Sequence, residues 1–114
     1  MKVKSADLIG PALNWAVAQC EMMREDYRDR GLLVHRIGYG QPAPPYSTDW
    51  SQGGPIIEWE NIDLISPTPS DPLWQAMQWR FAHGAKGPTP LIAGMRCFVA
   101  SKLGDEVEIP EELL

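Results

Sequence analysis

Apolar residues return at three- and four-residue spacing in two stretches of this chain, and alternate with polar ones in others. Leu13, Ala16, Val17 and Cys20 form the first stripe, widened by Ala12, Trp15 and Met22. That spacing returns side chains to one helix face, so it predicts a helix from about Pro11, with the proline in its first turn. Ser5-Ala6-Asp7-Leu8 precedes it and reads as a separate short turn, because Pro11 cannot sit deep in a continuous helix. The second stripe is Leu91, Ile92, Met95, Phe98, Val99 and Leu103. Thr89-Pro90 supplies its N-cap and first-turn proline, and Gly104 stops it.

Between the two stripes the period shortens. Residues 32–37 alternate and read as a strand, after a charged helix end at residues 24–30 closed by Gly31. Residues 62–65 and 73–81 read as two further strands, joined by a turn that holds Pro67, Pro69 and Pro72. Along the second, Leu73, Gln75, Met77, Trp79 and Phe81 share one face, and Trp74, Ala76, Gln78 and Arg80 the other. The first face is much the more apolar. Residues 38–46 and 84–87 read as loops, and Pro55 as the first turn of a short helix with Ile56 and Ile57 inward and Glu58 outward. A strand through Ile57 is the alternative. The order predicts an α+β domain: a small, largely antiparallel sheet of about three strands, packed by two main helices and linked by long Pro/Gly-rich loops.

Composition refines this picture. With 114 residues, 44% of them hydrophobic, the chain fits one domain, expected over residues 1–104. Its 11 Pro and 10 Gly account for the irregular connections. The net charge of −5 is local: Asp105, Glu106, Glu108, Glu111 and Glu112 make residues 105–114 an acidic tail, while residues 1–103 balance ten acids against all ten Lys and Arg. A neutral body with an acidic end offers no basic stripe for phosphates, so no nucleic-acid partner is expected. No run approaches the roughly 20 apolar residues of a membrane span, and Met-Lys-Val-Lys-Ser does not open a signal segment. A cytoplasmic protein is expected, with Cys20 and Cys97 as reduced thiols packed on helical stripes.

The segment with most chemical character is Ser47-Thr48-Asp49-Trp50-Ser51-Gln52-Gly53-Gly54. An indole gives stacking surface, and Asp49, Ser51 and Gln52 give donors and acceptors. Gly53 and Gly54 would let backbone approach a ligand closely. The competing reading makes Trp50 a plug at the core edge, Asp49 the cap of the short helix, and the glycines a turn. Thr89 and Arg96 complete the candidate ligand set: Thr89 could hold an anion at a helix start but is also an ordinary N-cap, and Arg96 could meet a ligand or pair with an acid. Trp59, Trp74 and Trp79 exceed what a small core absorbs and are candidate interaction residues, for a second copy in a homodimer or for a host protein. His35 and His83 lack metal-ligand spacing, so no metal and no cofactor are expected. Asp49, Glu58 and Glu60 could converge for acid-base work, with surface solvation as the default.

Two blocks carry a family resemblance: residues 48–58, Thr-Asp-Trp-Ser-Gln-Gly-Gly-Pro-Ile-Ile-Glu, and the run from Gly87-Pro88-Thr89-Pro90-Leu91-Ile92-Ala93-Gly94-Met95-Arg96 through Ser101-Lys102-Leu103-Gly104-Asp105-Glu106-Val107. With Leu13-Asn14-Trp15-Ala16-Val17-Ala18, the chain resembles the NinX family of small proteins from tailed phages and prophages over nearly its whole length. Ala93-Gly94 stands where that family usually has Ala-Ala, a change that weakens the helix and admits a close neighbour. The resemblance implies a phage origin and a dispensable, non-structural role in the host cell. The expectation is therefore a non-enzymatic accessory protein binding a small polar or nucleotide-like ligand, for instance to sequester a host signal. An adaptor for a host protein is the alternative, and a weak hydrolase using Asp49 or Glu58 a third.

Overall fold

In the computed structural model the described residues are 1–23 and 42–114. The strand expected at residues 32–37 and the charged helix end before it lie outside them. The first stripe forms helix α1, Gly10–Glu21, and buries Ala12, Leu13, Ala16, Val17, Ala18 and Cys20. Ser5–Asp7 is the short 3-10 turn before it, and Gly10, at φ +59°, redirects the chain into the helix.

Helix α2, Trp50–Trp59, begins five residues before the proline expected to start it. Asp49, not Pro55, marks its entry. Pro55 lies inside the helix and has no N–H to offer the Ser51 carbonyl, and Gly53-Gly54 is helical rather than a separate turn. Ile56 is buried, Ile57 half-buried and Glu58 exposed, as expected.

The sheet is antiparallel, in the order β2 (Asp63–Ile65), β3 (Trp74–Gln78), β4 (His83–Gly87). Two expectations fail here. The strand expected over residues 73–81 ends at Gln78, and Trp79–Phe81 is a 3-10 turn leaving through Ala82 at φ 49°. The loop expected at residues 84–87 is β4 itself. Glycine disfavours strands in isolation, but a Cβ on Gly87 would meet the Ala93 backbone nitrogen at 2.7 Å, and one on Gly84 would meet Met77 Sδ. The helix that begins at Pro90 crowds Gly87, and the neighbouring strand β3 crowds Gly84. The face of β3 turned to the core is also the less apolar one: Ala76 and Gln78 are buried, whereas Leu73 and Trp79 are exposed. Gln78 is tolerated because its Nε2 donates to the Glu60 carbonyl at 3.1 Å and its Oε1 accepts weakly from Cys97 Sγ.

Helix α3, Pro90–Leu103, is the hub. It buries Leu91, Ile92, Ala93, Gly94, Met95, Cys97, Phe98 and Val99 against α1, α2 and the sheet. Phe98 is fully buried, and truncation of such a ring typically costs about 3–5 kcal/mol. A Cβ on Gly94 would stand 2.9 Å from Ile57 Cδ1, so this glycine does admit a close neighbour from α2.

The acidic end is built into the fold. Glu106–Glu108 forms β5, antiparallel to β1 (Lys2–Lys4), with Lys2 opposite Glu108, Val3 opposite Val107 and Lys4 opposite Glu106. Val107 and Ile109 are buried while the glutamates face out. Opposite charges across the ribbon and apolar residues beneath it explain why the segment docks.

Candidate functional site

The helical start at Asp49 sets how residues 49–54 are placed. Asp49 Oδ1 accepts from the Ser51 backbone N–H at 2.9 Å and from the Ser51 hydroxyl at 2.7 Å. The hydroxyl bond, then the N–H, holds the Asp49 carboxyl below the usual carboxylate range. Trp50, Ser51 and Gln52 are exposed on the first turn. Gly53 is buried: a Cβ there would stand 2.2 Å from the Tyr46 carbonyl oxygen and 2.7 Å from Leu91 Cδ1. Its closeness serves chain packing. Gly54 lies beside the Trp50 ring, at 3.5 Å for an added Cβ. Ser47 anchors the approach to this helix, its N–H and hydroxyl both donating to Asn14 Oδ1 at 2.9 and 2.7 Å.

Thr89 caps α3, its hydroxyl accepting from Ile92 N–H at 3.1 Å. Leu91 touches Gly53, so the first turns of α2 and α3 adjoin and Thr89 does lie near residues 49–54. Arg96 faces elsewhere. Its Nε donates to the Leu8 carbonyl at 2.8 Å and its Nη1 to the Lys86 carbonyl at 2.9 Å, pinning the guanidinium between the turn before α1 and strand β4. Burial lowers its pKa and the nearby Asp7 carboxylate opposes that shift.

Arg96 also lines a cleft of about 340 Å³, together with Lys4, Ser5, His83, Asp105 and Glu106. Ser5 is buried, and its hydroxyl donates to the Gly104 carbonyl. His83 Nε2 is buried with no hydrogen-bond partner among the described residues, which is costly unless something meets it. In sequence His83 carries no signal for this cleft, since it lacks metal-ligand spacing and stands beside no other polar candidate. The cleft joins residues 4–6 to residues 83–106, which no local spacing reveals.

A family profile described as "Bacteriophage P22, NinX" matches residues 4–102. The chain belongs to the NinX family. No curated protein matches it. The part matched to NinX includes residues 49–54, Thr89, Arg96, His83 and Lys4, while Asp105 and Glu106 lie just beyond.

Other features of this NinX-family chain bear on chemistry. Burial pushes the Cys20 thiol up to about 12 and the Cys97 thiol up to about 11, so neither supplies thiolate at neutral pH. Glu60 pairs with Lys102 at 3.3 Å. Among the described residues no group of three His, Cys, Asp or Glu could hold a metal ion. The tryptophans divide: Trp74 packs against the core, whereas Trp50, Trp59 and Trp79 are 51%, 54% and 63% exposed. Among the described residues no helix is long and apolar enough to cross a membrane.

Proposed function

We propose that this phage protein acts without catalysis, by binding a small polar ligand, and that the Arg96 cleft is where it binds. The observation that carries this reading is the guanidinium fixed by two backbone carbonyls at the wall of a cleft of about 340 Å³, also lined by His83, whose buried Nε2 has no hydrogen-bond partner among the described residues. Ligand sites are typically concave, about 300–1,000 Å³, with a few fixed polar groups. Only two N–H groups of Arg96 are used by the carbonyls, so others remain for a ligand. Of the eight ligand-site residues picked from sequence, Arg96 alone lines this cleft. Of the other seven, Asp49, Trp50, Ser51, Gln52, Gly54 and Thr89 stay candidates for the same kind of ligand, whereas Gly53 is buried.

Sequestering a host signal, nucleotide-like or otherwise polar, needs nothing beyond such a pocket. Native mass spectrometry of the protein taken gently from phage-infected cells tests the reading. A discrete added mass that disappears with His83→Ala and survives Trp50→Ala is expected. A mass lost only with Trp50→Ala would move the site to α2, and a bare protein would contradict ligand binding.

A second reading rests on Trp50, Trp59 and Trp79, whose exposure favours a protein partner, either a host protein or a second copy. Sedimentation velocity of the wild type and of Trp79→Ser tests the homodimer: a dimer that the substitution dissociates supports it, and a monomer at high micromolar concentration opposes it.

A further inference from the structure

The charges in the Arg96 cleft are arranged by depth. The half-buried Arg96 and His83 and the buried Ser5 lie on its inner wall, while Lys4, Asp105 and Glu106 are exposed at its rim. We infer that the cleft takes a zwitterion of amino-acid type, its carboxylate directed inward to Arg96, beside His83, and its ammonium held at the rim by Asp105 and Glu106. This rests on the ligand-binding reading above and narrows it to one ligand class.

The inner end suits one carboxylate. Arg96 is charged at any physiological pH, and its plane is locked by the Leu8 and Lys86 carbonyls, so its remaining donors are preorganised for a planar oxyanion. His83 lines the same wall, its Nε2 buried and without a hydrogen-bond partner among the described residues. Arg96 brings a single fixed positive charge, enough for a monoanion.

The outer end suits a cation. Among the described residues neither the Asp105 nor the Glu106 carboxylate has a hydrogen-bond or ion-pair partner, although Lys4 stands opposite Glu106 across the β1–β5 ribbon. Lys4 offsets one of these charges and Asp105 remains. A phosphate ester or nucleotide entering the cleft would bring at least one more negative charge past both carboxylates, which an ammonium would instead satisfy. At 340 Å³ the cleft is also at the small end of ligand sites, as an amino acid requires.

The test is isothermal titration of the purified protein with the L-amino acids singly, with AMP and inorganic phosphate as anions, and with putrescine as a cation. At least one amino acid is expected to bind, its amide and its decarboxylated amine are expected to fail, and Asp105→Asn is expected to weaken binding at least tenfold. That variant neutralises a carboxylate with no partner among the described residues, so no described contact is lost; thermal melting verifies that the fold is kept. Binding of AMP or phosphate without any amino acid would overturn the zwitterion and leave the ligand-binding reading standing. No binding by any amino acid would overturn it as well, and amino-acid binding indifferent to both Asp105→Asn and His83→Ala would place the site elsewhere and overturn it too.

Discussion

The guanidinium of Arg96 reaches the carbonyl oxygen of Leu8, 88 positions away in sequence, with Nε donating at 2.8 Å. With the Lys86 carbonyl at 2.9 Å it ties the turn before α1 to β4, through a side chain carried on α3. Arg96 thus has a structural duty as well as a place in the cleft. Arg96→Lys gives up the fork geometry and is expected to lower stability by about 2 kcal/mol, since hydrogen bonds from charged groups are worth roughly 1.5–3 kcal/mol each and an ammonium can keep one of them. Urea denaturation of the two proteins reads this directly.

The glycines separate by what an added methyl would meet. Gly53→Ala puts a Cβ 2.2 Å from the Tyr46 carbonyl oxygen, which is backbone and cannot turn aside. A loss of about 3 kcal/mol or more is expected, as for a severe overpacking. Gly94→Ala meets only the end of the Ile57 side chain at 2.9 Å, and gains about 1 kcal/mol of helix propensity, so a change within about 1 kcal/mol is expected. Thermal melting of the pair checks the contrast.

Ala82 stands at φ 49°, a left-handed conformation that costs an L-residue about 1–2 kcal/mol and a glycine almost nothing. Ala82→Gly is therefore expected to stabilise the fold by about 1 kcal/mol. Equal or lower stability in denaturant would show that the strain is not there.

Acid should weaken the protein through identifiable carboxylates. Asp71 is held below the usual range first by the Lys86 ammonium at 2.7 Å and then by the Leu73 N–H; Asp49 is held there by Ser51. Their folded pKa values lie below the unfolded ones, so this stabilisation is complete above the unfolded carboxylate pKa of about 4 and is lost as pH falls through the folded values. Melting temperature followed from about pH 6 to about pH 2 should fall less steeply for Asp71→Asn, Asp49→Asn and their combination than for the wild type.

The legible parts of this fold were those whose signals are local. The stripe from Leu91 to Leu103 with Thr89-Pro90 before it and Gly104 after it specified α3 to the residue, because cap, first-turn proline and stop all lie within one continuous segment. Strand β4 was hidden because Gly84 and Gly87 argue against a strand until β3 lies against the one and α3 against the other. Helix α2 was placed late because Pro55 is a common first-turn residue, and the cap that does start it, Asp49, competed with a reading as a ligand contact. Strands β1 and β5 are three residues each, too short for alternation to stand out, and only their pairing reveals the Lys and Glu complementarity. For the candidate site, Arg96 could be named from its position off the apolar stripe. Its companions His83, Lys4 and Asp105 could not, since they come from β4, β1 and the start of the ribbon's return and meet only in three dimensions.

The most direct measurement is a histidine side-chain NMR titration, because the chain has only His35 and His83 and their ring signals can be assigned by substitution. On adding the L-amino acid that binds best, the His83 ring signals should shift saturably, and Asp105→Asn should move the midpoint of that shift to at least tenfold higher ligand concentration. Saturable binding that leaves the His83 signals unmoved would contradict a ligand seated in the Arg96 cleft.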